Sequence, residues 1–392
     1  MALGIAPALE AIRTGIRLLH PACKVFAYLD DIVVIAPSHL ALAAHDVVKR
    51  AMDEAGLALN NRKTKAWIRD PATQLPEGLP FDRVSTLKVL GSQVAWLDRE
   101  DSLAPVHDAA DPSPILQKAR RLAQRISQLL AHGLSARSAF LVLQTFSKSC
   151  ANHLLRANLE TGPWLDELEN ILHTSLGQVL VTPGSRPETI GPEQAHIASL
   201  RTKDGGLAFG GLKHTTPFAF IGSWFLCLKE VASTLGIHSW ATFTSKCPSV
   251  AAKLQLASGM AVERGACNGT PVNWLHPMEH AIPKMQSLLT KQAAKKQRDK
   301  VLELLTDDDA CDFQSNGGTG AGAYLLPTPE EATCKPIPDA HFRTSLRDRL
   351  LLAVCPPNST CQHRKADGSL CNAPLDRRGR HARKCKCQGL RS

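Results

Sequence analysis

Hydrophobic periodicity changes once along this chain, near Asp111, and that change limits the fold class. Before it, apolar residues come in short β-rich runs broken by Asp, Gly and Pro: KVFAY and IVVIA around Asp30 and Asp31, and STLKVLGSQVAWL around Gly91. Between them lie a helical stretch ending at Gly56, a turn with a strand ending at Trp67, and a Pro-rich loop from Pro71 to Pro80. After it, apolar residues recur at helical spacing, as in Ile115, Leu122, Ile126, Leu129 and Leu130. The expected class is α+β. A small, mainly antiparallel sheet covered on one face by helices comes first, then a mainly α-helical region.

Local signals refine this order. The N-terminal residues MALGIAPALEAIRTGIRLLH place Ile5, Leu9, Ile12, Ile16 and Leu19 on one helical face and read as a core helix rather than a mitochondrial presequence. Ser38 is positioned to cap the helix that follows the aspartates. Ser113 with Pro114 starts a helix, Gly133 stops it, and Ser135 caps the next, which is expected to run to about Asn158. A third is expected from Trp164 to Leu180. KDGGLAFGGL is a Gly-rich break without nucleotide-loop spacing. KQAAKKQRDK reads as a basic helix with a solvated face, phosphate contact being the second reading. The segment from Gly236 to Pro283 carries little signal. QSNGGTGAGAYLLPTPEEATCKPIP has the composition of a flexible linker. The expected divisions are 1–110, 111–180, 181–314, a linker with a short helix at 315–350, and a tail at 351–392.

The chain of 392 residues has a formal net charge of +10, which favours an anionic partner. From Cys361 to Ser392 there are nine Lys or Arg and two Asp, so the tail alone carries +7 of that charge. No run of 18 apolar residues occurs, so no membrane partner is expected. Of twelve Cys, seven are scattered singly from Cys23 to Cys334 and five crowd into the last 38 residues. A secreted disulfide framework is spaced more evenly, so an intracellular location, nucleus or cytoplasm, is expected.

Asp30 and Asp31 sit side by side between two strand-like runs. Two readings are open for them: a hairpin turn, or a pair of carboxylates whose repulsion a divalent cation relieves. The motifs that follow favour the second. YLDD, then GLALNNRKT, then LKVLGSQV resemble in order and spacing the later palm motifs of reverse transcriptases, in particular those of non-LTR (LINE-type) retrotransposons. GGLAFGGL resembles a Gly-rich element that often follows the thumb in that family.

The resemblance implies a partial polymerase palm at 1–110, a helical thumb at 111–180 and a helical connection region at 181–314. It implies metal-dependent nucleotidyl transfer on an RNA template and DNA primer or target. Asp30 would be the direct Mg2+ ligand and Asp31 a supporting carboxylate, since neighbours on a strand point in different directions. Lys63 would neutralise the leaving pyrophosphate or is a solvated Lys; both readings stand. Leu90 and Gly91 fall on the primer grip. Lys118, Arg120, Arg121 and Arg125 stand where thumb cations meet nucleic acid. The family also uses an earlier palm Asp and fingers. The 29 residues before Asp30 contain no Asp, so the isolated chain is expected not to polymerise. The alternative is a noncatalytic, zinc-dependent nucleic-acid-binding protein.

The tail supplies the second candidate site. In CQHRKADGSLCNAPLDRRGRHARKC, Cys361, Cys371, His381 and Cys385 are separated by nine, nine and three residues. Four such ligands suit tetrahedral Zn2+, and a segment with so few apolar side chains needs a metal in place of a core. Cys355, His363 and Cys387 are substitutes; a disordered basic tail is the alternative. The family's Cys-Cys-His-Cys knuckle agrees, although its usual spacing is tighter. With metal bound, Arg377, Arg378, Arg380, Arg383, Lys384 and Lys386 are expected to form a phosphate-binding surface.

Overall fold

A computed structural model describes residues 2–28, 31–68, 73–84, 87–89, 92–94, 113–159, 162–318, 320–325, 337–365 and 367–386. The chain is α+β and divides into two compact units, Met1–Ala110 and Asp111–Ser392. No helix among the described residues is long and apolar enough to cross a membrane.

In the first unit, helix α1 (Ala2–Leu19) buries Ala8, Ile12 and Ile16 one turn apart, and α2 (Ala41–Glu54) buries Ala44, Val48, Ala51 and Met52. These two stripes meet each other and one face of a hairpin. β1 (Lys24–Tyr28) and β2 (Asp31–Ile35) pair antiparallel, with Val25, Ile32 and Val34 packed on the helices. Phe26 and Ile35, on the opposite face, are exposed. Ser38 lies in a short 3-10 turn ahead of α2 instead of capping it.

The remaining strands depart from one mainly antiparallel sheet. β3 (Lys65–Trp67) pairs in parallel with β4 (Asp82–Val84), while β5 (Leu87–Val89) and β6 (Ser92–Val94) form a separate antiparallel pair. Each of these strands is three residues long, and a Pro-rich stretch separates β3 from β4, so among the described residues no ladder grows beyond two strands.

The second unit is helical. α3 (Ser113–Ala131) and α4 (Ala136–Ser149) are joined at Gly133, and the Ser135 side chain accepts from the Ser138 amide at 3.1 Å as its sequence position predicts. The helix expected to reach Asn158 breaks at Cys150 and resumes as α5 (Asn152–Ala157). α6 (Pro163–Val179) packs on α3 and α4, and α7 (Pro192–Ser199) leads into the Gly-rich segment.

That segment is a packing hub. A Cβ on Gly206 would lie 2.2 Å from the Leu200 carbonyl oxygen, so no other residue fits without moving backbone. Gln144 of α4 donates to the Leu207 carbonyl at 2.6 Å. The chain then enters α8 (Leu212–Thr234), which is buried on most sides. α9 (Trp240–Lys246), α10 (Pro248–Glu263), α11 (Leu275–Glu279) and α12 (Met285–Leu304) complete one core with it, around Phe218, Phe225, Phe243, Leu254 and Trp274. Pro217 inside α8 removes the donor for the Lys213 carbonyl, and Arg264 replaces it, its Nη1 reaching Lys213 O at 3.1 Å and His214 O at 2.9 Å.

α13 (Asp307–Ser315) and α14 (Asp339–Arg349) bracket the presumed linker. Part of that segment is built into the fold: Leu325 is fully buried, and the buried Arg349 donates to Gly206 O at 2.8 Å, to Ala321 O at 2.9 Å and to Thr202 O. Gly322 there lies close to that guanidinium, a Cβ on it falling 3.3 Å from Arg349 Nη2.

Candidate metal centre

The tail folds as a hairpin followed by one turn of helix. Thr360 faces Pro374 and Arg364 faces Leu370 in antiparallel bridges. The Cys361 amide donates to Ala373 O at 2.8 Å and the Cys371 amide to His363 O at 2.7 Å. Cys361 and Cys371 are thereby fixed on facing arms. The chain turns at Asp376–Gly379, where the Gly379 amide donates to Asp376 O at 2.9 Å, and enters α15 (Arg380–Lys384). Gly379 has φ of 64°, and a Cβ there would sit 2.9 Å from the Cys355 sulfur. His381 in α15 and Cys385 at its end are four residues apart and share a face.

Cys361, Cys371, His381 and Cys385 offer ligand atoms that all lie within 4.8 Å of one another. The Cys371 sulfur is 3.4 Å from His381 Nε2, and Cys361 and Cys385 are buried. Burial, followed by the neighbouring thiols of Cys385 and Cys371, pushes the Cys361 thiol above its ordinary range. Three thiols and an imidazole turned toward one point, in a segment poor in apolar side chains, are what a tetrahedral metal requires. The group can hold a metal such as zinc. Among the substitutes, Cys355 and His363 stand outside the group, and Cys387 lies outside the described residues.

The other expected site residues are placed as follows. Tyr28 is in register with Asp31 at the end of the β1–β2 pair. Asp30 itself, Leu90 and Gly91 lie outside the described residues. Lys63 is exposed in a turn built by Asn60, whose carbonyl accepts from the Lys63 and Thr64 amides at 2.9 and 3.0 Å. On α3, Lys118, Arg121 and Arg125 fall on one exposed stripe in a helix without a single acid, while Arg120 is paired with Glu167 of α6.

The tail arginines divide. Lys384 is exposed, as are Arg364, Lys365 and Lys386. Arg378 is enclosed, its side chain 0% exposed; it donates to the carbonyls of Leu352 and Asp348 at 2.7 Å and pairs with the Asp348 carboxylate at 3.0 Å. Arg380 reaches Asp309 at 2.5 Å and Asp312 at 2.8 Å. Arg383 bridges Asp312 and Asp348 at 3.2 and 3.1 Å. Counting charge along the tail gave no sign of these partners. The available signal was the run DDDACD, whose acids Asp309 and Asp312 are three residues apart, as are Arg380 and Arg383. In comparisons with known proteins, no family model, curated protein or solved structure matches this chain.

Proposed function

We propose that this chain derives from a reverse transcriptase of the non-LTR class, and that its C-terminal module binds Zn2+ and contributes to holding nucleic acid. The observation that carries the metal half is the convergence of Cys361, Cys371, His381 and Cys385. The polymerase half rests on the order of YLDD, GLALNNRKT and LKVLGSQV. In that reading Asp30 and Asp31 hold Mg2+ at a hairpin tip, and Lys63 serves the leaving group.

Zinc in the tail would act as a structural ion, closing four protein ligands and leaving no open position for chemistry. The hairpin presents Arg364 and Lys365, and α15 with the residue after Cys385 presents Lys384 and Lys386. The α3 stripe of Lys118, Arg121 and Arg125 is a second cationic surface. Contacts of this kind go mainly to phosphates, so binding is tolerant of sequence and weakens steeply with salt. A noncatalytic, zinc-dependent nucleic-acid-binding protein is the second reading, favoured by the fact that the metal group and both cationic surfaces need nothing from Asp30.

The full chain is titrated with Co2+ and then assayed for binding to single-stranded RNA and for extension of a primed RNA template with Mg2+ and dNTPs. One equivalent of tetrahedral thiolate-bound cobalt, displaced by zinc, is the expected result, with RNA affinity falling as salt rises. Absence of metal binding removes the zinc reading. Extension that vanishes in Asp30→Ala assigns the polymerase reading and overturns the expectation that the isolated chain is inactive. RNA binding without extension is the result expected of the isolated chain under either reading.

A further inference from the structure

Four arginines cluster about Gly379 and all reach two acid-bearing helices, Arg377 least closely, with its exposed side chain 3.5 Å from Asp309. α13 carries Asp307, Asp308, Asp309 and Asp312 and no base; α14 contributes Asp348. The side chains of Asp309 and Asp312 are only 12% and 16% exposed, and that of Arg378 is 0% exposed. Arg378 Nε stands 3.8 Å from each of these carboxylates while its Nη2 pairs with Asp348. Arg380 binds both acids of α13, and Arg383 bridges α13 to α14.

A largely desolvated network of this kind favours folding only if its members are prepositioned, because taking isolated charges out of water is costly. The prepositioning has one visible source. Arg378 and Arg380 flank the Gly379 turn, Arg380 precedes His381, and Arg383 stands two residues before Cys385. The same turn and helix therefore carry the guanidinium groups on one side and two metal ligands on the other. The hairpin that carries the other two ligands closes the arrangement. On the α13 side, the helix is already seated: Thr306 caps it by accepting from the Asp309 amide, and Phe313 is fully buried beneath it.

We propose that the metal-loaded tail is an internal clamp. Ligation through Cys361, Cys371, His381 and Cys385 sets Arg378, Arg380 and Arg383 into the Asp309, Asp312 and Asp348 carboxylates and ties α13 to α14. Metal occupancy then governs how tightly these two seated helices are held together, as well as the order of the tail. Arg378 and Arg380 serve the fold, and nucleic-acid contact by the tail falls to its outward cations. The clamp rests on the zinc reading above and is independent of the polymerase reading.

The test is amide hydrogen exchange on the full chain, zinc-loaded and after chelation. Chelation is expected to speed exchange in α13 and the C-terminal half of α14 by about tenfold or more, with α10 unchanged. Arg380→Gln and Asp312→Asn are each expected to speed α13 exchange in the loaded chain while one equivalent of cobalt still binds. The double variant is expected to fall short of the sum of the two, because the Arg380–Asp312 pair is lost in both. Arg380→Lys keeps the charge but loses the fork, and covers the case in which Arg380→Gln does not fold. Stoichiometric cobalt binding with α13 exchange indifferent to chelation overturns the clamp alone. A chain that binds no cobalt overturns the clamp and the zinc reading together.

Discussion

Replacing Arg349 by Met probes the point where three chain segments depend on one side chain. Arg349 is 1% exposed, and its guanidinium donates to the carbonyls of Gly206, Ala321 and Thr202. Met fills a similar volume, so the cavity contribution is small. Three charge-assisted hydrogen bonds go, each worth about 1.5 kcal/mol, the Gly206 and Ala321 carbonyls losing their donor and that of Thr202 keeping only the Gly205 amide at 3.3 Å; relief from burying a cation offsets about 1–2 kcal/mol of that. The net cost is about 3 kcal/mol, and for a unit of this size the melting temperature falls by about 6 °C. Urea unfolding of the metal-saturated chain measures it, followed by fluorescence of the core that holds Trp224, Trp240 and Trp274, whose last two rings stack at 5.9 Å. Arg349→Lys keeps the charge but cannot fork to three acceptors, and should cost about 2 kcal/mol. A midpoint unchanged or raised by Arg349→Met refutes the view that this side chain ties the Gly-rich segment to α14.

Three further perturbations test separate parts of the fold. Gly206→Ala sets a methyl 2.2 Å from Leu200 O and 2.4 Å from Ile197 O; a loss of about 3 kcal/mol is expected, and an unshifted urea midpoint would contradict the close approach. Arg264→Ala leaves the Lys213 carbonyl above Pro217 unserved and should cost about 1–2 kcal/mol; in a Pro217→Ala background, where the helix regains its own donor, the cost should shrink. His214 has its pKa lowered to about 4 by burial first, then by Arg264, His196 and Lys300. Its folded pKa lies below the unfolded value, so protonation favours unfolding, and stability falls as pH drops from 6.5 toward 4. About 2 kcal/mol should be lost between pH 7 and pH 5; a His214→Gln chain with the same pH profile would show that another group is responsible.

How much of this was legible in the sequence depends on how local the cause is. The β1–β2 hairpin, the α3 apolar stripe apart from Leu129, which is exposed, and the Ser135 cap follow from residues within one turn or one strand of each other, and pattern alone located them. The metal group was legible for a different reason. Cys and His are scarce ligands, so four of them in 25 residues constrain the fold whatever the loops between them do. The region from Gly236 to Pro283 was silent because α10 packs on α8 and α9 through alanines as much as through large side chains, and it lacks a strong polar face. The parallel β3–β4 pair was invisible because three-residue strands establish no period.

The arginines mark where one-dimensional reading stops. A guanidinium that binds phosphate and one that locks two helices together have the same letter, and the tail's charge of +7 cannot separate them. What separates Arg378 from Lys384 is six residues of chain, a Gly at positive φ, and an acidic helix some seventy positions earlier. Arg suits the inward role, since its planar fork can address two carboxylates at once and stays charged when enclosed. Lys, a compact and strongly hydrated charge, suits the outward one. In this tail the residues that meet Asp309, Asp312 and Asp348 are all Arg, whereas Lys365, Lys384 and Lys386 are exposed. Arg364, on the hairpin, is exposed like the lysines, so the choice of cation signals which way a side chain faces only around the Gly379 turn and α15, where the acids lie within reach. It predicts that Lys384→Arg leaves the chain's stability unchanged, whereas Arg378→Lys loosens α13; equal loss of stability in both variants would refute it.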